Sequence, residues 1–165
     1  MANKSRTIRV QSYGDIVTER TGDGVITPGM LLERTSLDKL KIHSTAGGNL
    51  QTIVALEKNL VGLGIDDDYV DAERVIAQIF RAGDRVLMII QDGSAAVVIG
   101  DELESAGDGT VELHVPDSES LGADSSSNIV SFNTNQIVGT ALEALDASDS
   151  AATSLANRRI LVEIV

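Results

Sequence analysis

Two histidines and two glutamates recur at one fixed spacing, and both residue types can carry general acid–base catalysis. Glu33 and His43 align on Glu104 and His114 at a constant offset of 71 residues. A duplicated active site would put one acid and one base in each copy, and a hydrolase would bring both histidines into a single site. The alternative is a duplicated piece of scaffold.

The other groups that a metal or nucleophilic site needs are missing from the sequence. There is no cysteine, and the histidines show no H-x-x-x-H, H-E or H-x-H spacing, so a zinc site lacks its third ligand. No G-x-S-x-G motif occurs, and Ala46–Asn49 lacks the lysine of a phosphate loop. We therefore predict a non-enzymatic protein with no catalytic residue, no cofactor and no metal ion.

The carboxylates next to leucines fit a scaffold. In each copy the leucine of a Leu-Glu pair is expected to pack inward and the glutamate to point to solvent or to an interface, because neighbouring strand residues face opposite sides. We interpret both histidines as exposed strand-end residues. The carboxylates considered as acid–base candidates are Glu33, Glu104, Glu57 and Glu143.

Residues Asp66–Asp71 resemble a calcium loop at first sight. Consecutive carboxylates repel each other and need either a cation or full solvation. The EF-hand pattern fails because Val70 and Asp71 stand where the turn glycine belongs. A weak calcium site, or a calcium- or histidine-dependent hydrolase, remains the alternative to a solvated loop.

Composition and charge exclude several classes of binding protein. The net charge is −12, and no lysine or arginine occurs between Arg85 and Arg158. Such a surface repels a phosphate backbone, so we predict no nucleic-acid partner. No apolar stretch is long enough to span a bilayer, so we predict no membrane partner. Hydrophobic residues make up 42% of the chain and aromatic residues 2%, so the core must be aliphatic.

Short apolar alternations bounded by turn residues predict a mainly β fold with little helix. Lys39–His43 alternates cleanly, with Leu40 and Ile42 on one face. Arg74–Phe80 and Arg85–Ile90 flank an Ala-Gly-Asp turn, which predicts a hairpin. Strands without long helices between them imply an antiparallel barrel or sandwich.

The strand plan is used twice, which predicts two related β units. Both copies contain an Ala-Leu-Glu strand, and the closing strand Arg159–Val165 echoes Arg85–Ile90. The pattern leaves open whether the units form one compact domain or two closely packed lobes. The predicted divisions are an N-terminal arm with the first strands (1–25), a first unit (26–98) and a second unit (99–165), with a polar exposed loop at 116–134.

Most of the chain resembles the head decoration, or cement, proteins of tailed bacteriophages. The residues that carry the resemblance are short motifs spread through both units: Ile26–Gly29, Leu32-Glu33, Lys41–Gly48, Ala55–Glu57, Gly64–Asp67, Gly100-Asp101, Leu103–Ser105, Gly107–Thr110 and Arg158–Ile164. The resemblance implies a small β-rich protein without catalytic residues, assembled in the host cytoplasm, that binds the outer surface of the capsid. It also implies a homo-oligomer, expected to be a trimer, that bridges subunits of the major capsid protein.

A basic N-terminal segment suits capsid docking. We predict that it is disordered alone and becomes ordered when it adds as a strand to a neighbour or to the capsid. The predicted capsid-docking arm consists of Lys4, Arg6, Thr7, Ile8, Arg9 and Val10. A solubilising tail is the alternative reading of this segment.

A carbohydrate- or receptor-binding β module on a virion is the alternative function. It needs exposed aromatic rings in a groove, since sugars stack on them. The rings available for this are Tyr13, Tyr69, Phe80 and Phe132.

Overall fold

The computed structural model describes residues 7–14, 16–115, 136–148 and 158–165. The whole of the 116–134 loop, Lys4 and Arg6 therefore lie outside the described residues. Within them the chain forms β-strands and one short 3-10 helix (Asn59–Val61). The strands are β1 Arg9–Gln11, β2 Ile16–Thr21, β3 Leu31–Arg34, β4 Leu40–Ile42, β5 Ile53–Ala55, β6 Arg74–Ile79, β7 Arg85–Ile89, β8 Glu102–Ser105, β9 Val111–Leu113, β10 Ile137–Ala141 and β11 Arg159–Ile164.

The strands build two antiparallel sheets, which confirms the predicted mainly β, sandwich-like architecture. One sheet has six strands in the order β1-β7-β11-β10-β8-β9, and the other has five in the order β2-β6-β5-β3-β4. No α-helix occurs in the described part of the chain, and no helix there could span a membrane.

The sequence repeat is a structural repeat. The order β2-β6-β5-β3-β4 in one sheet corresponds strand for strand to β7-β11-β10-β8-β9 in the other. Equivalent hydrogen bonds recur, since Gly29 N donates to Ala55 O and Gly100 N donates to Ala141 O, both at 2.9 Å. Gly29 and Gly100 also share a positive φ of 95° and 96°. The prediction of two related β units is confirmed at this level.

The predicted correspondence of Arg159–Val165 with Arg85–Ile90 is wrong. β11 takes the place of β6, because β6 pairs with β5 as β11 pairs with β10. β7 instead starts the second copy and corresponds to β2. The structural copies therefore begin one strand earlier than the predicted units. β6 and β7 both consist of an arginine followed by apolar residues. Only their pairing partners show which of the two corresponds to β11.

The predicted hairpin between β6 and β7 does not form. The two strands belong to different sheets, so the turn at residues 81–84 carries the chain from one sheet to the other. Asp84 is fully buried there. Its carboxylate accepts hydrogen bonds from Arg81 N at 2.9 Å and from Tyr13 N at 2.7 Å, which fixes both the turn and the β1–β2 connection.

Aliphatic residues fill the core on both sides of the five-stranded sheet. Successive residues of β3 point to opposite faces, so Leu31 joins a core shared with the six-stranded sheet and Leu32 joins a second one. The second core lies around Tyr69, its largest side chain, which is fully buried. An isolated bridge between Ile26 and Tyr69 places this ring, and Val97 with Leu145 forms the equivalent bridge in the second copy.

Candidate functional site

His43 lies at the junction of the two copies. Its Nδ1 is 2.7 Å from the Ser105 hydroxyl, and its Nε2 is 3.8 Å from a carboxylate oxygen of Glu33. The main chain ties the same junction together, because Gly109 N donates to His43 O at 3.1 Å and Gly47 N donates to Ser105 O at 2.8 Å. The first copy thus supplies the histidine and the second copy the serine.

The predicted exposure of His43 is wrong, since the residue is 1% exposed. β4 ends at Ile42, so His43 leaves the strand alternation, and the turn of the second copy covers it. That turn fits closely. Gly107 has φ +82°, and a Cβ on it would lie 2.7 Å from Ala46 N. The contact between the copies therefore requires a residue without a side chain at this turn.

Serine, histidine and glutamate here follow the order of a hydrolase relay, but the geometry does not serve one. A nucleophilic serine must meet its substrate, and Ser105 is fully buried. Its hydroxyl also accepts a hydrogen bond from Gly107 N at 3.2 Å. Glu33 instead pairs with Lys41 at 2.8 Å, and this ammonium lowers the pKa of the Glu33 carboxyl. The cluster acts as a polar tie between the two copies.

His114 has its own acidic partner. Its Nδ1 lies 2.5 Å from a carboxylate oxygen of Glu104, within the second copy. Glu104 is buried, so of the two predicted positions, solvent or an interface, the solvent-facing one is wrong. Burial raises the pKa of the neighbouring Glu112, and the negative charges of Glu104 and Asp108 raise it further. The two histidines thus take part in different hydrogen-bond sets, on Ser105 and on Glu104.

Each of four carboxylates in the acidic loop, residues 66–71, has a different hydrogen-bond partner. The carboxylates accept these hydrogen bonds: Asp66 from Arg159 at 2.6 Å, Asp67 from Gly64 N at 2.6 Å, Asp68 from the Thr27 hydroxyl at 2.7 Å and Asp71 from Gly24 N at 2.9 Å. Among the residues that the structure describes, no three Asp, Glu or His side chains are grouped to hold a metal ion. The loop is thus arranged as a set of turn-stabilising contacts.

Two buried cations hold this loop, and sequence reasoning missed both. Arg159 is 3% exposed; besides Asp66, it donates to the carbonyl oxygens of Pro28 and Ile65. Lys58 Nζ bonds the Glu73 carboxylate at 2.7 Å and lies 4.5 Å from the centre of the Tyr69 ring. An arginine at the start of an otherwise apolar core strand was the available signal for Arg159.

The buried phenol under the loop predicts a loss of stability in alkali. Burial raises the pKa of Tyr69 to about 12 from an ordinary value of 10.0. The folded chain therefore keeps this proton where the unfolded chain loses it, so the stabilisation is complete below pH 10 and is lost as the pH rises through 12. We expect the urea midpoint to fall between about pH 9 and about pH 11.

The control for this alkaline effect is Tyr69→Phe, which keeps the ring and removes the titrating group. Other groups titrate in the same range, so the informative quantity is the difference between the two chains. The fall in midpoint should be smaller in Tyr69→Phe. Equal falls in both chains would show that Tyr69 does not ionise differently on unfolding.

The N-terminal segment is anchored by Glu57. The Glu57 carboxylate accepts hydrogen bonds from the Thr7 hydroxyl at 2.5 Å and from Ile8 N at 3.1 Å. Burial opposes ionisation of this group, but the hydrogen bonds outweigh it and lower its pKa. The equivalent carboxylate in the second copy, Glu143, accepts a bond from Leu161 N at 3.3 Å.

The expectation that the arm is disordered alone is wrong for its second half. Ile8 is fully buried, and its carbonyl accepts a hydrogen bond from Leu87 N at 2.9 Å. β1 then pairs with β7 at the edge of the six-stranded sheet. Val10 is 41% exposed at this edge. Lys4 and Arg6 lie outside the described residues, so docking by the arm stays a prediction.

Comparison with known proteins identifies a similar fold. A crystal structure described as the head fiber gp8.5 N base in bacteriophage phi29 matches with a TM-score of 0.52 and 12% sequence identity. The match covers 92% of this chain and 95% of that chain. No protein-family model matches the sequence, and no curated protein matches it. At this identity the similarity establishes the fold.

Proposed function

We propose that this protein is a non-enzymatic structural component of a tailed-phage virion that binds the outer surface of the head. The observation that carries the proposal is the similarity to the phi29 head fiber base, which extends over nearly the whole of both chains. The resemblance of the sequence motifs to capsid decoration proteins points to the same place in a virion. The finer role we propose is cement, a homotrimer made in the host cytoplasm that bridges subunits of the major capsid protein.

The internal chemistry supports a structural role. Two of the polar groups that first suggested catalysis have structural partners: His43 bonds Ser105 of the other copy, and Glu57 holds the N-terminal segment. A protein that clamps a pressurised shell needs such ties, because rigid elements transmit load without local unfolding. Many modest contacts repeated over a shell then add up to a large stabilisation.

The carbohydrate-binding alternative has little support from the aromatic residues. Tyr69 and Phe80 are buried, at 0% and 4% exposure. Tyr13 is 75% exposed, while Phe132 lies outside the described residues. A base for a head fibre is a second candidate, favoured by the description of the phi29 protein. The rupture temperature of DNA-filled heads separates it from cement, because bridging strengthens the shell.

Reversing the charge of the arm should weaken capsid binding. The variant is Lys4→Glu with Arg6→Glu, and we expect at least a tenfold weaker association with purified heads, since each reversal turns attraction to an acidic surface into repulsion (roughly 1 kcal/mol or more per charge). Co-sedimentation with purified heads over a concentration series measures the effect.

The matched control is Arg34→Glu with Lys39→Glu, which changes the net charge equally on the β3–β4 hairpin. Arg34 is exposed there and Lys39 is half-buried. Both double variants should unfold at the temperature of the parent chain. Equal weakening in both would assign the effect to net charge, and unchanged binding of the arm variant would refute docking by the arm.

A further inference from the structure

The first copy contains an insertion that the second copy lacks. Between Glu57 and the bridge residue Tyr69 the first copy has residues 58–68, whereas between Glu143 and the equivalent Leu145 the second copy has one residue, Ala144. The second sheet forms without such a segment, so the fold does not require it. A segment that the scaffold can omit is free to carry an interaction.

This insertion exposes large apolar side chains. Leu60 and Val61 lie in the short 3-10 helix and are 87% and 71% exposed. Water contact at such side chains is unfavourable, and each contributes to binding when a partner covers it. The insertion therefore presents an apolar ridge at the surface.

A groove runs beside the ridge along the β2–β6 pair. It consists of two adjoining hollows of about 300 and 250 Å3, which share Leu60, Glu19 and Ile76 as lining residues. Val17, 48% exposed, extends the apolar lining along β2. Ridge and groove together form one continuous surface, defined here as the Leu60 surface.

The charged residues that line the Leu60 surface balance in sign, with two ion pairs and one further residue of each sign, Arg9 and Glu57. Arg74 Nε lies 3.2 Å from Glu19, and Lys58 Nζ lies 2.7 Å from Glu73. This neutrality contrasts with a chain whose net charge is −12 and whose residues 86–157 contain no lysine or arginine. A basic partner would be drawn to that acidic region, whereas another acidic molecule meets least repulsion at a neutral surface.

We propose that a second copy of this chain covers the Leu60 surface, and that this contact holds the oligomer together. Two chains of charge −12 associate most readily where local charges are paired and apolar side chains are exposed. The inference rests on the proposed function in one respect, the homo-oligomer, and names the surface that forms it. Other parts of the chain would then contact the capsid.

The test is the mass of the full chain in solution. Size-exclusion chromatography with light scattering should give a multiple of 17.4 kDa for the parent chain. The variant Leu60→Ser with Val61→Ser should dissociate to 17.4 kDa at the same concentration, which requires at least about a tenfold weaker association. Its thermal unfolding should remain cooperative, because both side chains are exposed.

The second copy provides a matched control, Val98→Ser with Ile99→Ser. These side chains are similarly exposed, at 57% and 68%, and do not line the groove of the Leu60 surface. This variant should keep the parent mass. A monomeric parent chain, or a Leu60 variant with unchanged mass, would overturn the inference. Loss of head binding by the Leu60 variant at unchanged mass would assign the surface to the capsid instead.

A label at the ridge gives a second readout that does not depend on a destabilising change. The chain has no cysteine, so Leu60→Cys adds a single labelling site. A polarity-sensitive dye there should shift to the blue as the protein concentration rises through the association range, and a constant spectrum with an oligomeric mass would contradict the proposal. Dissociation of the Leu60 variant without any head binding by the parent would leave this inference standing and refute the proposed function.

Discussion

Replacing Tyr69 with alanine should lower the free energy of unfolding by about 3–5 kcal/mol, as for other large aromatic residues in a closed core. The ring is fully buried in the second core of the five-stranded sheet. Its hydroxyl donates to Leu56 O at 2.8 Å, and Lys58 lies over its face. Removal leaves a cavity, an unsatisfied carbonyl and a cation without its aromatic partner. Urea denaturation followed by circular dichroism measures the loss.

Two controls separate these contributions. Tyr69→Phe keeps the volume and removes the hydroxyl, so it should cost about 1–2 kcal/mol. Leu145→Ala removes the equivalent bridge residue of the second copy, which is half-buried, and should cost less than Tyr69→Ala. A Tyr69→Ala loss no larger than that of Tyr69→Phe would mean that the core closes around the missing ring.

The repeat could be predicted from the sequence because each copy carries the same short motifs. Gly29 and Gly100 both need a left-handed backbone, and each begins the same approach to an Ala-Leu-Glu strand. Alternation then gives the strand type, since inward and outward residues differ every second position. Such signals do not say which strand is the neighbour. β6 and β7 look alike along the chain and lie in different sheets, so their assignment required the pairing itself.

The candidate site was harder to predict, because burial there comes from the other copy. His43 follows a strand that alternates as predicted, and it is buried because the turn at Gly107 covers it. The residues that neighbour His43 in the sequence give no sign of that contact. Arg159 is buried for a similar reason, since its partner Asp66 comes from a loop of the first copy. Contacts with residues distant in the sequence determine whether such positions are buried, and local sequence patterns do not reveal these contacts.

Divergence between the copies separates scaffold from function. Features that both copies keep, such as the bridges of Ile26 with Tyr69 and Val97 with Leu145, serve the sheet. Features found in one copy alone, such as the insertion with Leu60, are not needed to form the sheet. The second copy, in turn, lacks basic residues from 86 to 157. We therefore expect contacts with other molecules at the features that differ.

Gly139→Ala tests how tightly the second copy is built and should cost about 3 kcal/mol, at the upper end for overpacking. Gly139 lies in the middle of β10, between β8 and β11. A Cβ there would lie 2.5 Å from the Glu163 carbonyl oxygen and 2.6 Å from a Val162 methyl group. The close contacts belong to β11 itself, so the added methyl group must push the backbone of β11 away from β10, at the expense of their pairing. The melting temperature of the purified chain measures the effect.

Gly64→Ala is the matched control, because a Cβ there meets its nearest atom, Asp67 Oδ2, at an ordinary 3.7 Å. It should change stability by less than about 1 kcal/mol. The first copy shows why position 139 is special: Ile53 stands at the equivalent place and pairs with Ile79, so a large side chain is compatible with the strand plan itself. The close approach of β11 is therefore a property of the second copy. A Gly139→Ala chain as stable as its parent would show that β11 can relax.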